Sequence, residues 1–200
     1  MSENTFLPVV TLFESYGAGA DEVGPRLADE LGVPWCGQQV STATLEEADP
    51  KGTGRISVNQ FIVSSSMTDI GSTDLVESPL VRLVQQQAIT VKQLAEGGGV
   101  ILGRNATLIL AGRRHTLHVK LDASPAFRVA RAARLAGITP QQADVRRRRE
   151  DAARAELSLE SWHWDPRLSE HFDLVVNTET FGMDQAVRMI LDGLAWVRNR

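Results

Sequence analysis

Hydrophobic and polar positions divide the chain into short apolar runs separated by amphipathic stretches. Leu7 to Phe13 (LPVVTLF) is an apolar, β-branched run that stops at the turn-rich segment Ser15 to Asp21 (SYGAGAD). Its length and Val-Val-Thr content predict a buried strand rather than a helix. Asp21 to Leu31 then places Val23, Leu27, Ala28 and Leu31 on one helical face, with Pro25 early in the helix and Gly32 at its end. The first unit is therefore strand, tight loop, helix. Gly32 to Val40 predicts a second short strand. Residues 41–80 carry no clear period: Asp49 to Gly54 (DPKGTG) reads as a loop, and Ser57 to Ser64 (SVNQFIVS) fits strand and helix alike. From Pro79 to Ala95, the spacing of Leu80, Leu83, Val84, Ile89 and Leu94 predicts a helix stopped by Gly97, Gly98 and Gly99.

The second half repeats the alternation. Val100 to Leu102 is a buried-type strand ending at Gly103-Arg104-Asn105, and Thr116 to Leu121 (TLHVKL) alternates as a strand does. Ser124 is placed to cap a helix whose first residue is Pro125 and which runs to about Ala136, with Gly137 as terminator. Thr139-Pro140 repeats that capping pattern and opens a long, very basic helix. Phe172 to Asn177 predicts a last strand, and Met183 to Val197 a last helix with the stripe Val187, Ile190, Leu191 and Leu194. That stripe reads as core first and as a homo-oligomer interface second. Short strands alternating with helices predict an α/β fold, with a parallel sheet covered on both faces and joined by right-handed crossovers.

Composition changes this picture little. Two hundred residues suit one domain, and a formal net charge of −4 gives no general reason to expect nucleic-acid or membrane partners. The apolar runs are too short to span a bilayer, and the start lacks the basic-then-apolar pattern of a secretory signal. Cys36 is the lone cysteine, which excludes an internal disulfide or a cysteine metal cluster and fits a reducing, cytoplasmic setting. His115, His118, His163 and His171 lack metal-ligand spacing with acidic partners.

The candidate chemistry sits in the first turn. Backbone amides of a glycine turn at a helix N-terminus make a concave anion site. Glu14-Ser15-Tyr16-Gly17-Ala18-Gly19-Ala20-Asp21 stands where a G-x-x-x-x-G-K-[ST] loop would stand. With Gly19 as the second glycine, Glu14 replaces the first, Ala20 the lysine and Asp21 the Ser/Thr. Taken alone, the segment is equally a βα turn that needs small residues.

Six ordered segments carry a wider likeness. Phe13 to Ala20, Leu27 to Pro34 (LADELGVP), Val100 to Arg104 (VILGR), His118 to Arg131, Glu150 to Ala155 (EDAARA) and Phe172 to Thr178 (FDLVVNT) are similar, in order, to segments of the cytidylate-kinase-like family. Ser161 to Pro166 (SWHWDP) resembles its D-W-G-D-P and reads as a packed turn. The resemblance implies a three-layer P-loop kinase fold over residues 1–200, with a monophosphate-binding insertion at 41–80 and a small helical lid at 137–168. It implies nucleotides as partners and transfer of phosphate from ATP, with Mg²⁺, to a CMP- or dCMP-like acceptor. Gly17, Ala18, Gly19, Ala20 and Asp21 would hold the ATP phosphates, and Arg104 the acceptor. Arg128, Arg131, Arg148, Asp151 and Arg154 would form the catalytic lid cluster. The run Arg146 to Arg149 is all one sign, which is unfavourable without an anion, although pairs such as Arg147–Asp151 and Glu150–Arg154 fit a solvated helix. Glu14 stands at an arginine position of the family, and Gly37-Gln38 where it often has Asp-Arg. Glu14 and Asp21 would repel a triphosphate, so the alternative is a catalytically impaired nucleotide-binding or regulatory protein that keeps the fold. A third reading is a protein-interaction module built on residues 41–80 and the last helix.

Overall fold

The computed structural model describes residues 7–38, 79–103 and 105–198. The expectations for Arg104 and for residues 41–78 lie outside them. The described elements, in chain order, are β1 (Val9–Glu14), α1 (Ala20–Leu31), β2 (Trp35–Cys36), α2 (Pro79–Glu96), β3 (Gly99–Leu102) and α3 (Ala106–Ile109). There follow β4 (Thr116–Asp122), α4 (Pro125–Ala136), α5 (Pro140–Trp162), β5 (Leu174–Asn177) and α6 (Thr178–Arg198). The strands form one parallel sheet in the order β2-β3-β1-β4-β5.

Position in the sheet explains the apolar run at the start. β1 is central, with β3 on one side and β4 on the other, and all six of its residues are buried. A strand covered on both faces needs apolar residues at successive positions. Val10 and Leu12 face α1 and α6, packing with Val23, Leu27, Ile190 and Leu194. Val9 lies on the opposite face, with Val91 and Ala95 of α2, Ile101 and Leu110. Helices therefore cover both faces, which makes the three layers of an α/β domain. Each fully buried Leu or Ile contributes roughly 2 kcal/mol by leaving water.

Local signals set the helix ends. Ser124 Oγ accepts from Phe127 N at 3.2 Å, and Gly137 ends α4 with φ 64°. Thr139 Oγ1 accepts from Gln142 N at 3.3 Å while Gln142 Oε1 accepts from Thr139 N at 3.0 Å, so α5 opens on a reciprocal capping box. Gly32 closes α1 in the left-handed region, with φ 64°.

Two expectations are corrected. Pro25 is the sixth residue of α1, beyond the tolerated first turn, so the Asp21 carbonyl loses its i+4 donor. Ile89 is half exposed at 51%; the inward face of α2 is Val84, Ala88, Val91 and Ala95. The strand expected at Thr116 to Leu121 is found as β4, with Leu117, Val119 and Leu121 in the core beside α1 and α6, and Lys120 on its other face is buried as well. The Lys120 ammonium donates to Arg167 O at 2.9 Å, and burial pulls its pKa down. The last helix begins at Met183 as expected, and the non-helical Gly182, with φ 70° and ψ 171°, separates it from a short helical turn opening at Thr178.

Candidate functional site

The loop between β1 and α1 lies at the carboxyl edge of the central strand, where open α/β sheets present their ligand crevice. Its shape rests on two glycines, Gly17 with φ 83° and Gly19 with φ 105°. A Cβ on Gly17 would stand 2.7 Å from the backbone oxygen of Arg128, so both space and backbone angle require glycine. Buried Thr178, the first residue of α6, donates its hydroxyl to Ala18 O at 2.7 Å and ties the loop to the far end of the sheet.

The anion cradle is already engaged by the chain itself. Glu14, the last residue of β1, turns its carboxyl back so that Oε1 accepts from Gly19 N at 2.8 Å and Ala20 N at 3.2 Å. That places an acceptor on the first free amides of the helix. The group is 9% exposed; burial pushes its pKa up, and Arg154 and the two amides act against that rise. Other loop amides are engaged too: Tyr16 N donates to Asp151 Oδ1 at 2.9 Å, Ser15 N to Leu121 O at 3.1 Å and Ala18 N to Ser15 O at 2.9 Å.

Three buried arginines surround this loop. Arg128, on α4, donates to Asp151 Oδ2 at 2.8 Å, to Tyr16 O at 3.2 Å and to Ala123 O at 3.1 Å. Arg131, three residues on, pairs with Asp21 at 2.9 Å and Glu22 at 3.3 Å. Its burial favours the neutral form, but those two carboxylates override this and raise its pKa. Arg154, on α5, donates to the backbone oxygen of Glu14, and its Nη1 lies 4.0 Å from Glu14 Oε2. Its Nε is buried without a hydrogen-bond partner. The guanidiniums of Arg146 and Arg154 lie 5.7 and 5.9 Å from the Tyr16 ring centroid, so α5 stacks on the loop.

Residues 9–180 match the cytidylate kinase-like family. The chain belongs to that family. Its fold is shared with an uncharacterized protein from Eubacterium ventriosum ATCC 27560, at a TM-score of 0.67 and 16% identity over 96% of this chain and 99% of the other. A shikimate kinase from Bacteroides thetaiotaomicron superposes at a TM-score of 0.52 and 14% identity, over 94% of this chain and 98% of the other. The chain is also 31% identical over 114 residues to a uronate isomerase from Corynebacterium glutamicum. That match covers 57% of the chain, which spans about a fifth (22%) of the relative's length. The fold is that of P-loop kinases.

For a cytidylate kinase-like protein, the expected residues are brought together unevenly. Gly17, Gly19, Ala20, Asp21, Arg128, Arg131, Asp151 and Arg154 converge on one loop. Arg148 does not join them: its side chain is 65% exposed and pairs with Asp144 at 2.9 Å. Of the two readings of residues 146–149, the paired helix is favoured: Arg147 meets Asp151 at 3.5 Å, as that reading expects, and Asp144 at 2.9 Å. Ala18 and Ala20 are fully buried, so they can offer a ligand only backbone. Glu22, Tyr16, Thr178 and Asn105 had no mark in the sequence. Asn105 is fully buried and accepts from Trp164 Nε1 at 2.9 Å, which makes the Trp164 segment the packed turn expected of it. Cys36 is buried, and burial pushes its thiol pKa up, away from reactivity.

The described residues do not build a Mg²⁺ site. Asp21, at the Ser/Thr position, is committed to Arg131, and among the described residues no three His, Cys, Asp or Glu side chains are grouped to hold a metal. Two clefts flank the loop. One of about 280 Å³ is lined by Glu14, Tyr16, Gly17, Asp21, Arg131 and Arg154. The other, of about 440 Å³, is lined by Phe127, Arg131, Arg134, Gly182 and Met183 among others. Among the described residues, no helix is long and apolar enough to cross a membrane.

Proposed function

We propose that the protein transfers phosphate from ATP to a nucleoside monophosphate of the CMP or dCMP type. One observation carries this reading: Arg128, Arg131 and Arg154, each more than nine-tenths buried, converge on a glycine loop at the carboxyl edge of the sheet. Phosphoryl transfer asks a protein chiefly for positioning and for neutralising charge on the moving group. Guanidiniums held in place by burial and by carbonyl contacts supply that charge without reorganising. The ATP phosphates would lie along Gly17 to Asp21, and the 440 Å³ cleft beside Met183 is within the usual volume of a small-ligand pocket. Arg104 would hold the acceptor phosphate. Any Mg²⁺ would arrive on the ATP phosphates, as it commonly does.

The test is ADP release, coupled to a reporter, across a panel of nucleoside monophosphates. Turnover is expected with a cytidine nucleotide, and none with any acceptor at high enzyme concentration rejects the proposal. Arg104→Ala is expected to raise the acceptor KM without lowering the melting temperature; an unchanged KM removes Arg104 from that role.

A second reading is favoured by Glu14, which takes two of the amides a phosphate would use, and by Ala20 in place of the loop lysine. It is a nucleotide-binding or regulatory protein without turnover. Calorimetric binding of ATP or CMP, with no ADP released, selects it.

A further inference from the structure

We propose that the phosphate loop is held in a self-occupied state, with the Glu14 carboxylate acting as an internal stand-in for phosphate that a ligand must displace. The inference rests on the reading of this loop as a phosphate site, and it adds that the chain itself competes for it. Glu14 Oε1 sits between the amides of Gly19 and Ala20, at the N-terminus of α1, where fixed dipoles favour an anion. The countercharge is also in place, with Arg154 Nη1 4.0 Å from Oε2. The remaining cations are likewise answered from within: Arg131 by Asp21 and Glu22, Arg128 by Asp151. Around the loop, the carboxyl groups of Glu14, Asp21, Glu22 and Asp151 pair with the guanidiniums of Arg128, Arg131 and Arg154, and Arg147 also meets Asp151 at 3.5 Å.

An isolated βα turn has no need of this arrangement. A glutamate at a strand end usually points to water, and burying it beside Asp21 costs free energy unless its position is stabilised. Here the stabilisation comes from the groups that hold phosphate in a kinase loop. A tethered carboxylate competes at high effective concentration, and apparent ligand affinity falls in proportion to the open fraction. If Glu14 holds the amides nine-tenths of the time, ATP binds about tenfold more weakly than to an unoccupied loop. Displacement would free the carboxylate and the Arg154 guanidinium together, so the cation becomes available when phosphate enters.

The experiment is calorimetric titration of the full chain with ATP and Mg²⁺, comparing wild type with Glu14→Gln and Glu14→Ala. Glu14→Ala is expected to bind at least about tenfold more tightly than wild type, with Glu14→Gln, a neutral acceptor of the same shape, in between. Equal affinity in all three proteins overturns the proposal while leaving nucleotide binding standing. If none binds ATP, the phosphotransferase reading fails, and amide hydrogen exchange decides the internal contact alone. Slow exchange at Gly19 and Ala20 in wild type, lost in Glu14→Ala, supports it. Rapid exchange at both amides in wild type overturns it, and this measurement needs no variant to fold.

Discussion

Asp151 is where α5 is fastened to the glycine loop, and its removal gives a measurable loss. Its Oδ1 accepts from Tyr16 N at 2.9 Å and its Oδ2 from Arg128 at 2.8 Å, joining α5, the loop and α4 at one carboxylate. The Arg128 side chain is 8% exposed and that of Asp151 28%, so the pair is neither fully buried nor freely solvated. Breaking a fully buried pair from one side costs about 3–5 kcal/mol, because a charge is left without its partner. Two features reduce that here: partial access of water to Asp151, and the carbonyls of Tyr16 and Ala123 that Arg128 keeps. Asp151→Ala should therefore lose about 2 kcal/mol, a fall of roughly 4–8 °C in melting temperature for a domain of this size. Asp151→Asn keeps an acceptor for Tyr16 N and loses only the charge, so it should lose about 1 kcal/mol. Urea unfolding at neutral pH, with Arg128→Met completing a double-mutant cycle, measures the coupling directly. A loss under about 0.5 kcal/mol in Asp151→Ala, or no measurable loss in Asp151→Asn, refutes a role for countercharge.

Three further outcomes follow from the same geometry. Gly17→Ala forces a left-handed angle on alanine and a Cβ 2.7 Å from Arg128 O, so it should cost about 2–3 kcal/mol and weaken ATP binding; a melting temperature within 1–2 °C of wild type, of order 0.5 kcal/mol, contradicts this. Thr178→Val keeps the shape but strips the buried Ala18 carbonyl of its donor, at about 1–2 kcal/mol by chemical denaturation, and no measurable change would mean the tie contributes nothing. His118 Nδ1 lies 2.8 Å from Thr11 Oγ1, and burial holds its pKa below the ordinary value of 6.5. The folded state thus takes up fewer protons there than the unfolded one. Its contribution is present above pH 6.5 and is lost as pH falls through and below that value. Wild type should lose stability from pH 7.5 to 5.5 more steeply than His118→Gln, in melts at about five pH values, and parallel slopes would exclude the effect.

Much of the architecture was legible in the chain because it is decided over three or four residues. The Ser124 and Thr139 caps, the terminators Gly32 and Gly137, and the runs at Val9–Glu14 and Gly99–Leu102 follow from local hydrogen bonding and burial. The family could be reached from the order of its segments. Ile89 misled because inward and outward faces depend on what packs above them, which no local window contains.

The sequence by itself determined the alternation of strands and helices, the two glycines that bend the loop, and the carboxylates and arginines available to it. Only the tertiary structure decided how those charges meet. Read along the chain, Glu14 looks like a repulsive neighbour of an anion site. In the fold, Glu14 turns into the amides of Gly19 and Ala20, with Arg154, 140 residues away, against it. Asp151 bridges to Arg128 and Tyr16, 23 and 135 residues away. Electrostatic sign is a property of residues, but electrostatic partnership falls off over a few ångströms, and distances of that kind exist only once the sheet has brought the helices together.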